Sequence, residues 1–65
     1  MTTAQFKKDA LKLGVKVYSV RKYSNKDGEG YTVTYAYVLS KNAVSTQKVA
    51  NYHELTLEEI LLRFS

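Results

Sequence analysis

The chain has 65 residues, 45% hydrophobic and 25% charged, with a formal net charge of +4, one histidine and no cysteine. This is the composition of a globular chain rather than a disordered one, and its length allows a single small domain over residues 1–65 that buries only about 60% of its unfolded surface. Disulfides and thiolate metal sites are excluded, and one histidine without clustered carboxylates makes no metal centre.

Stability therefore has to come from a compact apolar core or from a partner, which leaves room for a homodimer. Residues 1–14 carry four charges and no apolar run of signal-peptide length, and no segment approaches the ~20 apolar residues of a membrane span. The expectation is a cytoplasmic protein with no membrane association.

Thr2 and Gln5 have capping-box spacing, and Phe6, Ala10 and Leu13 fall on one stripe, which predicts a helix up to Leu13. Gly14 follows where a left-handed residue closes a helix. Residues 15–23 (VKVYSVRKY) are β-branched and aromatic and read as a strand. Strict alternation puts Val15, Val17 and Ser19 on one side, with Lys16, Tyr18, Val20 and Lys22 on the other.

Ser24–Gly30 (SNKDGEG) reads as a seven-residue mobile loop with a turn signal at Asp27-Gly28. Residues 31–40 give the clearest strand, with Tyr31, Val33, Tyr35, Tyr37 and Leu39 sharing a face. Residues 43–51 predict a third, more polar edge strand, with a helix over part of them left open. The last element is the best specified. Thr56 and Glu59 form a capping box, Leu55 and Ile60 are placed as a hydrophobic staple, and Leu57, Ile60, Leu61 and Phe64 form the apolar stripe.

The predicted fold is α+β: a three-stranded antiparallel meander with N- and C-terminal helices, in the order α-β-β-β-α. Its expected core is Phe6, Leu13, Val17, Val33, Tyr35, Leu39, Leu57, Ile60, Leu61 and Phe64. Double-stranded-RNA-binding domains share this order and approximate size, but not the residues they use on RNA. The last helix here opens Leu57-Glu58-Glu59 where those domains are basic, and SNKDGEG replaces their Gly-Pro-x-His loop. No functional residue is carried over from them.

Catalytic constellations are missing from the sequence. His53 has no nucleophile to serve and reads as a surface or capping side chain, and the carboxylates show no pairing suited to flank a substrate. The GxG at Gly28 and Gly30 precedes a strand, so no helix N-terminus follows to receive a phosphate, and no cofactor is implied. A non-enzymatic binding module is the expectation.

Residues 1–26 hold seven basic groups and one acid, a local charge of +6, whereas residues 27–65 carry −2. This split, with tyrosines interleaved, weakly favours nucleic acid over a basic, tyrosine-containing surface within residues 7–26. Its candidate contacts are Lys16, Tyr18, Arg21, Lys22, Tyr23 and Lys26. The alternative is a protein-interaction module, such as a small phage or mobile-element accessory protein or inhibitor docking on a larger machine.

Overall fold

In the computed structural model, which describes residues 1–65, helix α1 (Thr3–Lys12) leads into strands β1 (Val15–Asn25), β2 (Gly28–Ser40), β3 (Ala43–Val44) and β4 (Lys48–His53), and helix α2 (Leu57–Phe64) ends the chain. β2 is the central strand. β1 runs antiparallel along one side of it, and β3 and β4 run along the other. The architecture is the predicted α+β meander, with its third strand interrupted at residues 45–47.

Both helices cover the same face of the sheet. Phe6 and Ala10 of α1, Val15 and Val17 of β1, Val33 of β2, and Leu57 and Ile60 of α2 form one buried cluster. Phe64 closes its end, with ring centroids 6.1 Å from Phe6, 5.3 Å from Tyr35 and 6.2 Å from Tyr52. Phe6, Val33 and Ile60 are fully buried, and burying side chains of this size contributes about 1.5–3 kcal/mol each.

Two expected core members lie outside the cluster. Leu39 is 67% exposed because β1 pairs with β2 only as far as Tyr37, and the last backbone contact on that side is the Val38 N–H donating to the Gly14 carbonyl. Leu13 is the C-cap of α1 and has left the helix's buried stripe.

The helix ends show how local chemistry sets the boundaries. At α2 the box is complete: the Glu59 N–H donates to Thr56 Oγ1 (3.2 Å), and the Thr56 N–H donates to Glu59 Oε1 (3.0 Å). Such a cap is worth about 1 kcal/mol to the helix it starts. The backbone and hydroxyl of Thr56 also hold the Glu59 carboxyl below its usual range. At α1 the box is half made. Thr2 accepts from the Gln5 N–H (3.1 Å), but the Gln5 amide turns to Asp9 instead (2.9 Å). Gly14 follows at φ +84°, as the helix exit requires.

The β1–β2 connection departs from the sequence expectation. It is a two-residue turn at Lys26-Asp27, with Asn25 paired to Gly28, rather than a seven-residue loop. The Asn25 side chain accepts from the Asp27 N–H (2.9 Å), and the left-handed residue is Gly28 alone (φ +130°). Ser24, Glu29 and Gly30 belong to the strands. The third strand is broken where Ser45 stands in for a continuous ladder: its N–H donates to the Tyr37 carbonyl, and its Oγ accepts from the Tyr37 N–H, both at 2.8 Å. No helix is long and apolar enough to cross a membrane.

Candidate functional site

The face of the sheet away from the helices is open, and a β-bulge decides what stands on it. Val17 pairs with Tyr35, yet Ser19 pairs with Thr34, so Tyr18 is an extra residue in β1. From that point the alternation expected for β1 is reversed. Val20 packs on the core opposite Val33, while Ser19, Arg21 and Tyr23 turn to the open face. Lys16 and Tyr18 join them there, with Lys16 Nζ 5.5 Å from the centroid of the Tyr18 ring.

The open face is ordered in rows across the strands. Tyr23, Gly30 and His53 stand opposite one another, as do Arg21, Thr32 and Asn51, and then Ser19, Thr34 and Val49. No Asp or Glu stands on these rows. The acids lie at the hairpin tip (Asp27, Glu29), in the turn at Glu54, and on the helices (Asp9, Glu58, Glu59). At the opposite end of β1, Lys7 and Lys8 of α1 line a shallow depression with Leu11, Lys16 and Val17, which extends the positive surface past the sheet.

Of the six sequence candidates, the structure brings Lys16, Tyr18, Arg21 and Tyr23 together on the open face. Lys22 falls on the helix side opposite Tyr31, where its ammonium lies 4.0 Å from Glu29. Lys26 sits at the hairpin turn, apart from the other four. Lys16, Arg21 and Lys26 have no carboxylate within ion-pair distance.

Four residues outside the sequence candidates shape this face: Gly30, Thr32, Asn51 and His53. The Tyr23 hydroxyl lies 3.0 Å from His53 Nδ1, and His53 Nε2 lies 3.1 Å from the Asp27 carbonyl. A carbonyl only accepts, so Nε2 carries a proton toward Asp27, and Nδ1 bonds the Tyr23 hydroxyl, a group able to donate or accept. His53 thus ties β4 both to β1 and to the turn. Gly30 lies beneath this bond, and a side chain there would run into the Tyr23 phenol and the Tyr52 carbonyl. Next to it, Thr32 Oγ1 donates to Asn51 Oδ1 at 2.7 Å.

Tyr23, Asn25, Asp27, Thr32, Asn51 and His53 enclose an open depression of about 600 Å³. The two-residue turn at Lys26-Asp27 places Tyr23 opposite Gly30 by counting alone, whereas a turn at Asp27-Gly28, the signal in the sequence, puts Asn25 there. Comparison with protein-family models, curated proteins and solved structures finds no match.

Proposed function

We propose that this chain is a non-enzymatic module that binds nucleic acid on the open face of its sheet. The observation that carries the reading is the set of acid-free rows to which the Tyr18 bulge brings Arg21 and Tyr23 beside Lys16 and Tyr18, with Lys7 and Lys8 continuing the positive surface. Cations along a groove neutralise phosphates, and aromatic rings between them offer surfaces on which bases stack. Asp27 and Glu54 lie at the hairpin end of this face and Lys7, Lys8 and Lys16 at the other, so a polyanion is drawn toward the Lys16 end.

Binding to a single-stranded oligonucleotide should weaken steeply with salt. Four phosphate contacts, from Lys7, Lys8, Lys16 and Arg21, give a slope of about −3 in log K against log[salt]. Replacing Lys16 and Arg21 together with alanine should make that slope shallower by about 1.4. Titration of a labelled oligonucleotide at several salt concentrations measures both. An absence of salt-sensitive binding to single strands and duplexes at low ionic strength would rule the reading out.

A second reading, a protein-docking module of the accessory-protein or inhibitor kind, has its own supporting observation. Leu11, Val38, Ala43 and Val44 line an exposed groove of about 440 Å³ flanked by Lys16 and Lys41. A protein complex that survives nuclease and is lost on Leu11→Asp would favour that reading.

A further inference from the structure

We infer that Tyr23 and His53 together form a stacking platform for one unpaired nucleobase, built over Gly30 at the hairpin end of the open face. This inference rests on the nucleic-acid reading and names the part of the ligand that this end of the face receives.

The geometry comes first. The planes of the two rings differ by only 12°, and their centroids are 6.0 Å apart. The 3.0 Å hydrogen bond joins them through their edges, the phenol hydroxyl of one to the ring nitrogen of the other. Their rings are therefore near-parallel neighbours joined at their edges, and 6.0 Å between centroids is too long for a face-to-face stack.

Gly30 is what lets the phenol lie down. The phenol end of Tyr23 occupies the space in which any side chain at position 30 would stand, and the ring crosses β2 to reach β4. The His53 side chain is 46% exposed, as expected of a ring with one face on the sheet and the other toward solvent. The second bond of His53, to the Asp27 carbonyl, fixes the ring so that it need not be ordered when a ligand arrives.

The electrostatics then choose the ligand group. Asp27, Glu29 and Glu54 outnumber Lys22 and Lys26 at this end of the sheet, and Lys22 is paired to Glu29, while Lys7, Lys8 and Lys16 lie together at the other end with no acid among them. Phosphates belong toward Lys16 and Arg21, and a neutral, flat group belongs on the platform. A base within a duplex has its faces covered by its neighbours, so the group is an unpaired base of a single strand. Arg21, Thr32 and Asn51 form the adjacent row, within reach of the edges of that base or its sugar.

The test compares two labelled single-stranded oligonucleotides of equal length and charge, one carrying thymine bases and one abasic throughout, at a fixed low salt concentration. The base-bearing strand should bind the wild-type chain at least about 5-fold and up to about 140-fold more tightly, the range of one stacked base. Tyr23→Leu should lower that ratio severalfold and leave the salt slope unchanged, whereas Tyr23→Phe, which keeps the ring, should retain most of it. Tyr23 is half-buried, so His53→Ala provides a second variant at a more exposed position. It should lower the ratio severalfold, with circular dichroism confirming the fold.

Equal binding of the two strands with a steep salt slope would overturn the platform and leave the nucleic-acid reading standing. Undiminished base preference in both Tyr23→Leu and His53→Ala would also overturn the platform. Failure of either strand to bind would remove both.

Discussion

The two faces of this sheet are built from the same three long strands, yet they follow different rules. On the helix side, Val15, Val17 and Val33 meet Phe6, Leu57 and Ile60, and the side chains are selected for volume. On the open side, Lys16, Tyr18, Arg21, Tyr23, Asn51 and His53 have no element over them, and hydrogen bonds and charge arrange them instead of packing. Both sets share a backbone, so the bulge at Tyr18 serves both at once. It keeps Val20 on the core and turns Arg21 and Tyr23 outward. One face carries the buried core, and the other is left uncovered.

The sharpest way to break this comparison is to cut into the covered face. Phe6→Ala and Ile60→Ala should each cost about 2–5 kcal/mol, which approaches the whole stability of so small a core. Loss of the cooperative thermal transition would be the readout. Lys16→Ala and Arg21→Ala, on exposed positions, should change stability by no more than about 0.5 kcal/mol. If an open-face substitution unfolded the chain as readily as Phe6→Ala, the division between faces would not hold.

A smaller effect distinguishes the tyrosines on the covered side. Burial, with the Tyr37 and Tyr52 hydroxyls close by, pushes the Tyr35 phenol up to about 12, and burial also raises Tyr52. Between the ordinary value of 10.0 and this raised one, the folded chain holds a proton that the unfolded chain has released. The stability associated with neutral Tyr35 is therefore complete below pH 10 and is lost as pH rises toward 12. Because the phenol is only half-buried, solvent screening keeps the effect modest. Urea midpoints measured at rising alkaline pH should fall less for Tyr35→Phe than for the wild-type chain. Identical pH profiles would show that Tyr35 is not the group responsible.

Much of the covered face was legible in the sequence, because its determinants are local or periodic. The Thr56–Glu59 box, the Leu57–Ile60–Phe64 stripe and the alternation of Tyr31, Val33 and Tyr35 each say what they do within one element. The open face was only half legible. Four of its residues could be named from composition and charge, but their grouping depends on Tyr18 as an extra residue, and a strict period of two placed everything after it on the wrong side. The spacing of three between Val17 and Val20 was the available hint. Gly28 and Gly30 were read as loop because glycine breaks strands, whereas Gly30 sits within β2 as the bed for the Tyr23 ring. The partnership of Tyr23 with His53 joins residues 30 positions apart, through a strand that touches both, and depends on the full register of the sheet.

The claim that the open face is the binding face is tested most directly by mapping amide and side-chain chemical shifts during titration with a short single-stranded oligonucleotide. The account predicts the largest changes at Lys16, Tyr18, Arg21, Tyr23, Asn51 and His53, smaller ones at Lys7 and Lys8, and little at Leu57, Ile60 or Phe64. Changes centred on Leu11, Val38 and Val44, on α2, or nowhere at all would contradict it.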